Sequence, residues 1–145
     1  KNMNSIFPKK FLLLVLITSI WIHISEILRF FIIVLPEMRR SLAPLPQAIP
    51  IDGIRLFIWG IWDTVLTIAI VYIAWLCTKH FGKTAKAVLL SSVVSWTTFF
   101  LLFWIAMVNM NLSRLSLLTY TLPLTLIETT IGAWICIKLL KFYKA

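Results

Sequence analysis

At 145 residues, 61% hydrophobic and only 13% charged, with a mean hydropathy of +0.97, the chain has too few polar side chains to coat a water-soluble surface. Ordinary soluble domains are about 45–50% apolar. The net charge of +9 does not signal a nucleic-acid partner, because the basic residues cluster at the ends of apolar runs and no RNA- or DNA-binding motif accompanies them. The reading is one all-α integral membrane domain over residues 1–145, in a plasma or inner membrane, with the lipid bilayer as its first partner.

A spanning helix needs about 20 predominantly apolar residues, and four stretches meet that length. The first, 11–34, reads FLLLVLITSIWIHISEILRFFIIV. It follows a basic leader, but its apolar run exceeds the roughly 7–15 residues of a signal-peptide core and ends in no small-x-small site. It is therefore expected to be a retained helix. It also carries His23, Glu26 and Arg29. An outer loop follows over 35–55, with Pro36, Pro44, Pro46 and Pro50. Proline at that density favours stiff, extended backbone, so the loop is expected to be a spacer, a lid or a partner-docking segment over the bundle mouth.

The second helix is expected over 56–78 and the third over 87–108, joined by the short basic KHFGKTAK. The still shorter NMNLSR leads to a fourth over 115–140, where Pro123 implies a tilt or kink. Short connections make antiparallel neighbours, so the expected architecture is a four-transmembrane-helix up-down bundle. Nine lysines fall on one side and Arg39, Arg40, Arg55 and Arg114 on the other. That bias predicts both termini on the cytoplasmic side. Cys77 and Cys136 then lie near a reducing compartment, and no disulfide is expected.

Advancing 100° per residue places a polar stripe on each helix. Ser19, His23, Glu26 and Phe30 share a face, with Arg29 at its edge. Gly60, Asp63 and Thr67 share another, flanked by Trp59; Ser91, Ser95 and Thr98 form a third; Thr121, Thr125, Glu128 and Gly132 form the fourth. Small and hydroxyl residues at such spacing are ordinary packing surfaces in membranes. The acids are different. Each charged side chain at mid-bilayer costs roughly 2.5–3.5 kcal/mol, so Glu26, Asp63 and Glu128 together cost about 10 kcal/mol before pairing or protonation.

Helices 1, 2 and 4 aim these acids at one region, expected to be an outward-opening polar cavity with Arg29 as counter-ion to one carboxylate. The candidate ligand- or ion-binding residues are His23, Glu26, Asp63, Glu128, Trp59, Trp96 and Thr125. Trp59 and Trp62 flank Asp63, while Trp21 and Trp96 lie deep enough either to pack the bundle or to line a pocket. Trp75 and Trp104 read as interfacial anchors.

No catalytic residue is singled out. Glycine-rich phosphate loop, HExxH and serine elbow are all absent from the sequence, the two histidines are poorly placed for haem, and no metal or cofactor is expected. Three functions remain open. The first is binding or transport of a proton, a metal cation or a cationic lipophile, with a homodimer needed for alternating access. The second is a structural subunit whose ionisable groups pair with a membrane-complex partner. The third is an enzyme doing acid–base chemistry on a lipid or sterol-like substrate.

Overall fold

All four apolar runs fold as helices, each extending past its apolar run at one end or both. The computed structural model describes residues 6–41 and 52–142, and no β-strand occurs among them. Helix α1 (Ile6–Arg29) passes through a π-helical turn (Phe30–Val34) into α2 (Leu35–Ser41), making one continuous rod. Helix α3 (Gly53–Phe81) is the second rod. The third joins α4 (Ala85–Ser95), a π-helical turn (Trp96–Leu101) and α5 (Leu102–Asn109). The fourth is α6 (Leu115–Phe142), which runs unbroken through Pro123. Each rod contains a segment long and apolar enough to cross a membrane.

The expected outer loop is therefore shorter than 35–55. Leu35–Ser41 continues the first rod, and Gly53–Arg55 begins the second. Pro36 is tolerated because the preceding turn has already left the α ladder: the Leu35 N–H donates to the Phe30 carbonyl, five residues back. Pro44, Pro46 and Pro50, and with them the lid or docking segment, lie outside the described residues.

Local chemistry sets the rod ends. Asp52 caps α3 by accepting the Arg55 N–H at 2.9 Å, and its carboxylate also pairs with the Arg55 guanidinium. Gly82 ends α3 at φ 64°, where a side chain would be strained. Thr84 caps α4 through the Ala87 N–H.

Consecutive rods pack side by side and the fourth returns to the first, while α3 and α6 also touch across the middle. That diagonal contact leaves rods one and three on opposite sides. Gly132 on α6 permits the close approach of α1: a Cβ there would stand 3.2 Å from Ile22 Cδ1. Two apolar clusters fill the interior. One, around Leu14, Val71, Ala87 and Cys136, lies toward the lysine-bearing end; the other, around Ile70, Phe100, Trp104 and Leu117, lies toward the arginine-bearing end. Both cysteines are free thiols, Cys136 fully buried.

The exterior is equally apolar. Ile20, Ile32, Phe57 and Leu102 are each more than half exposed. A water-soluble monomer does not present so continuous an apolar coat.

The two π-helical turns re-aim everything beyond them. Inward-facing positions on the first rod step from Arg29 to Val34, and on the third from Ser95 to Phe100, five residues each time. A π turn holds one extra residue, so the buried stripe shifts by one position. This is why Thr98, expected on the Ser91–Ser95 stripe, is exposed.

Candidate functional site

At the arginine-bearing end, the interior holds charges. Arg29 is buried at 8% exposure and forms an ion pair with Glu26 on its own helix, one turn back. Its Nε lies 3.6 Å from Glu128 Oε2 on α6, and the guanidinium sits 5.6 Å from the centre of the Phe100 ring on the third rod. Ser25 donates to Glu128 Oε2 at 2.9 Å, and Trp21 donates its indole N–H to the Glu128 carbonyl at 3.0 Å. Glu128 Oε1 is buried without a hydrogen-bond partner among the described residues. One arginine thus serves two carboxylates from different rods and ties α1 to α6.

Asp63 stands apart. It is 3% exposed, and of the five acids it is the one without an ion pair among the described residues. Trp59, one turn back on α3, is its neighbour in the cavity wall, and Glu26, His23 and Arg29 are the ionisable groups close enough to act on it.

Asp63 faces a cavity of about 480 Å³ between the first three rods. Glu26, Arg29, Phe30, Val34 and Met38 come from the first rod, and Arg55, Ile58, Trp59, Trp62, Asp63 and Leu66 from the second. Phe99, Phe100, Phe103, Trp104 and Met107 come from the third. Along α3, Leu66 lies eleven residues in from Arg55, about 16 Å of helical rise, so the cavity reaches well into the bundle. Phe30 meets Trp59 edge-on, with ring centroids 4.3 Å apart.

The expected cavity therefore exists in a different form: its wall is mainly aromatic and apolar, with the charges at the inner end and Arg55 toward the mouth. Glu26, Asp63, Trp59 and Arg29 line it. His23, Glu128, Trp96 and Thr125 do not. The His23 Nδ1 lies 2.8 Å from the Ser19 carbonyl and Nε2 3.2 Å from the Gly60 carbonyl, so the ring bridges α1 and α3. A neutral imidazole donates to one of these carbonyls; a doubly protonated ring donates to both. Trp96 donates to the Leu122 carbonyl at 2.9 Å and to Thr125 Oγ1 at 3.1 Å, binding the third rod to the fourth. The deep tryptophans Trp21 and Trp96 are packing residues. Conversely Trp104, expected at an interface, is 4% exposed and lines the cavity.

The third-rod wall escaped the stripe argument because its residues are apolar. A signal was present in the run WTTFFLLFW: Phe99 and Phe103, like Phe100 and Trp104, are four apart. The π turn that brings Phe100 inward has no comparable signature.

The chain matches no known protein family, and no curated protein or solved structure is similar to it. Fold and site define a four-rod helical protein with an apolar coat, a buried Glu–Arg–Glu triad and, without an ion pair among the described residues, Asp63 facing an aromatic cavity.

Proposed function

We propose that the chain is a four-span integral membrane protein that binds or transports a cationic ligand at the inner end of this cavity, with both termini on the cytoplasmic side. The observation that carries the reading is Asp63: a buried carboxyl group with no ion pair among the described residues, lining a cavity in which Arg29 is already shared by two other acids and Arg55 pairs with Asp52. A cation supplied by a ligand would complete its charge balance. The apolar coat supports residence in a bilayer, and the lysine-against-arginine division of the ends supports the orientation. The Glu26–Arg29–Glu128 triad acts as a register-fixing link between the first and fourth rods.

The test is a thermal-stability panel on purified wild type and Asp63→Asn with sodium, manganese, dimethylammonium and long-chain amines. The reading expects at least one of these cations to stabilise the wild type and to lose that effect in Asp63→Asn. A panel with no stabilising cation would overturn it. For orientation, a cysteine introduced at Lys83 should react with an impermeant maleimide only after cell lysis, and one at Arg114 before it; the reverse pattern would invert the topology.

A further inference from the structure

Resting on that reading, we infer that the ligand is an amphiphilic monoamine, its ammonium at Asp63 and its apolar body against the aromatic wall. Charge sets the first requirement. Arg29 already faces Glu26 and Glu128, so among the described residues Asp63 is the carboxyl group lining the cavity that has no cation of its own. Trp59 lines the same cavity beside Asp63, so an aromatic ring as well as a carboxyl group lies near any cation bound there.

A metal ion suits the site poorly. Calcium takes six to eight oxygen ligands and magnesium a strict octahedron, whereas no group of three His, Cys, Asp or Glu side chains that could hold a metal occurs among the described residues. A bare proton needs no room, yet about 480 Å³ is open here, within the roughly 300–1,000 Å³ of small-molecule sites. The aromatic lining matches an apolar body.

The mouth refines the class. Ile58, Trp62 and Phe103 line the cavity and are also more than half exposed on the outside of the bundle, so the cavity opens onto the apolar coat. A chain entering from lipid meets no polar barrier there. Of the two carboxyl groups that line the cavity, Glu26 is paired with Arg29, which leaves Asp63 to match a single ammonium. One positive charge is therefore accommodated and two are not.

The experiment places the chain in phosphatidylcholine nanodiscs and titrates N,N-dimethyldodecylamine brominated along its tail, whose bromines quench nearby indoles. Wild type is expected to show saturable quenching, at least tenfold weaker with the equally brominated dodecanol and in Asp63→Asn. Phe103→Ala, at a half-exposed wall position, should weaken the amine several-fold while circular dichroism stays that of the wild type. Equal quenching by dodecanol, or an Asp63→Asn curve matching wild type in a protein that is still helical, would overturn the inference. If dimethylammonium, sodium or manganese stabilises the protein through Asp63 while the long-chain amine gains nothing from its tail, cation binding survives and the amphiphile assignment falls. If no cation binds at all, both fall.

Discussion

Arg29→Gln removes the guanidinium that lies against two buried carboxylates while keeping a polar side chain of similar length. At 3.6 Å and an effective dielectric constant of about 20, the Arg29–Glu128 attraction alone is 332/(20 × 3.6), about 4.6 kcal/mol before desolvation. The ion pair with Glu26 adds to it, and the cost of keeping a guanidinium out of water subtracts. Deleting one partner of a buried pair ordinarily costs about 3–5 kcal/mol, because the other charge is left stranded. Glu128 is almost fully buried and has only Ser25 to fall back on, so the upper part of that range is expected. The assay is SDS-driven unfolding in mixed micelles, followed by far-ultraviolet circular dichroism. Arg29→Lys should lie between wild type and Gln, since one ammonium cannot reproduce a fork reaching two helices. The triple variant Glu26→Gln, Arg29→Gln, Glu128→Gln should regain most of the loss, having no stranded charge. If Arg29→Gln alone unfolds within about 1 kcal/mol of wild type, the triad does not tie the rods as described.

Two further expectations concern single contacts. In Gly132→Leu the new side chain collides with Ile22 Cδ1 and Thr18 Cγ2, which a Cβ alone would approach to 3.2 and 3.7 Å. The same SDS titration should show a loss of about 1–3 kcal/mol as α1 and α6 are forced apart, and an unchanged midpoint would contradict that contact. The Asp52 carboxyl is held below its ordinary value of 3.8, first by the Arg55 backbone N–H and further by the Arg55 guanidinium. A group whose folded pKa is depressed contributes stability above the unfolded pKa and loses it as pH falls through the folded one. Protection of the Arg55 amide, measured as exchange against its intrinsic rate, should therefore fall only once pH drops below about 4, and in Asp52→Ala it should be low at every pH. A carboxyl carbon-13 titration with its midpoint at or above 3.8 would contradict the cap.

The four helices were legible because lipid and water impose a length and a composition that a single chain must obey locally. Glu128 was legible as well: α6 is continuous, so the 100° advance from Thr121 through Thr125 to Gly132 holds, and all four residues are buried. The same counting failed at Thr98, and it could not foresee Phe100 or Trp104 as cavity wall, because each lies in or beyond a π-helical turn that displaces the inward face by one residue. The helical stretch Leu35–Ser41 was hidden behind Pro36, whose usual helix-breaking effect is relieved by that same kind of turn.

Pairing among the acids was the part no local rule could supply. Glu26, Asp63 and Glu128 look equivalent as embedded carboxylates. That charges are embedded toward this end of the first, second and fourth helices could be read from composition and periodicity, which are properties of each segment alone. That Arg29 reaches Glu128 on the fourth rod, with Ser25 donating to the same carboxylate, while Asp63 is left facing the aromatic cavity, follows from the packing, because a buried ion pair depends on which rods are adjacent and how each is rotated.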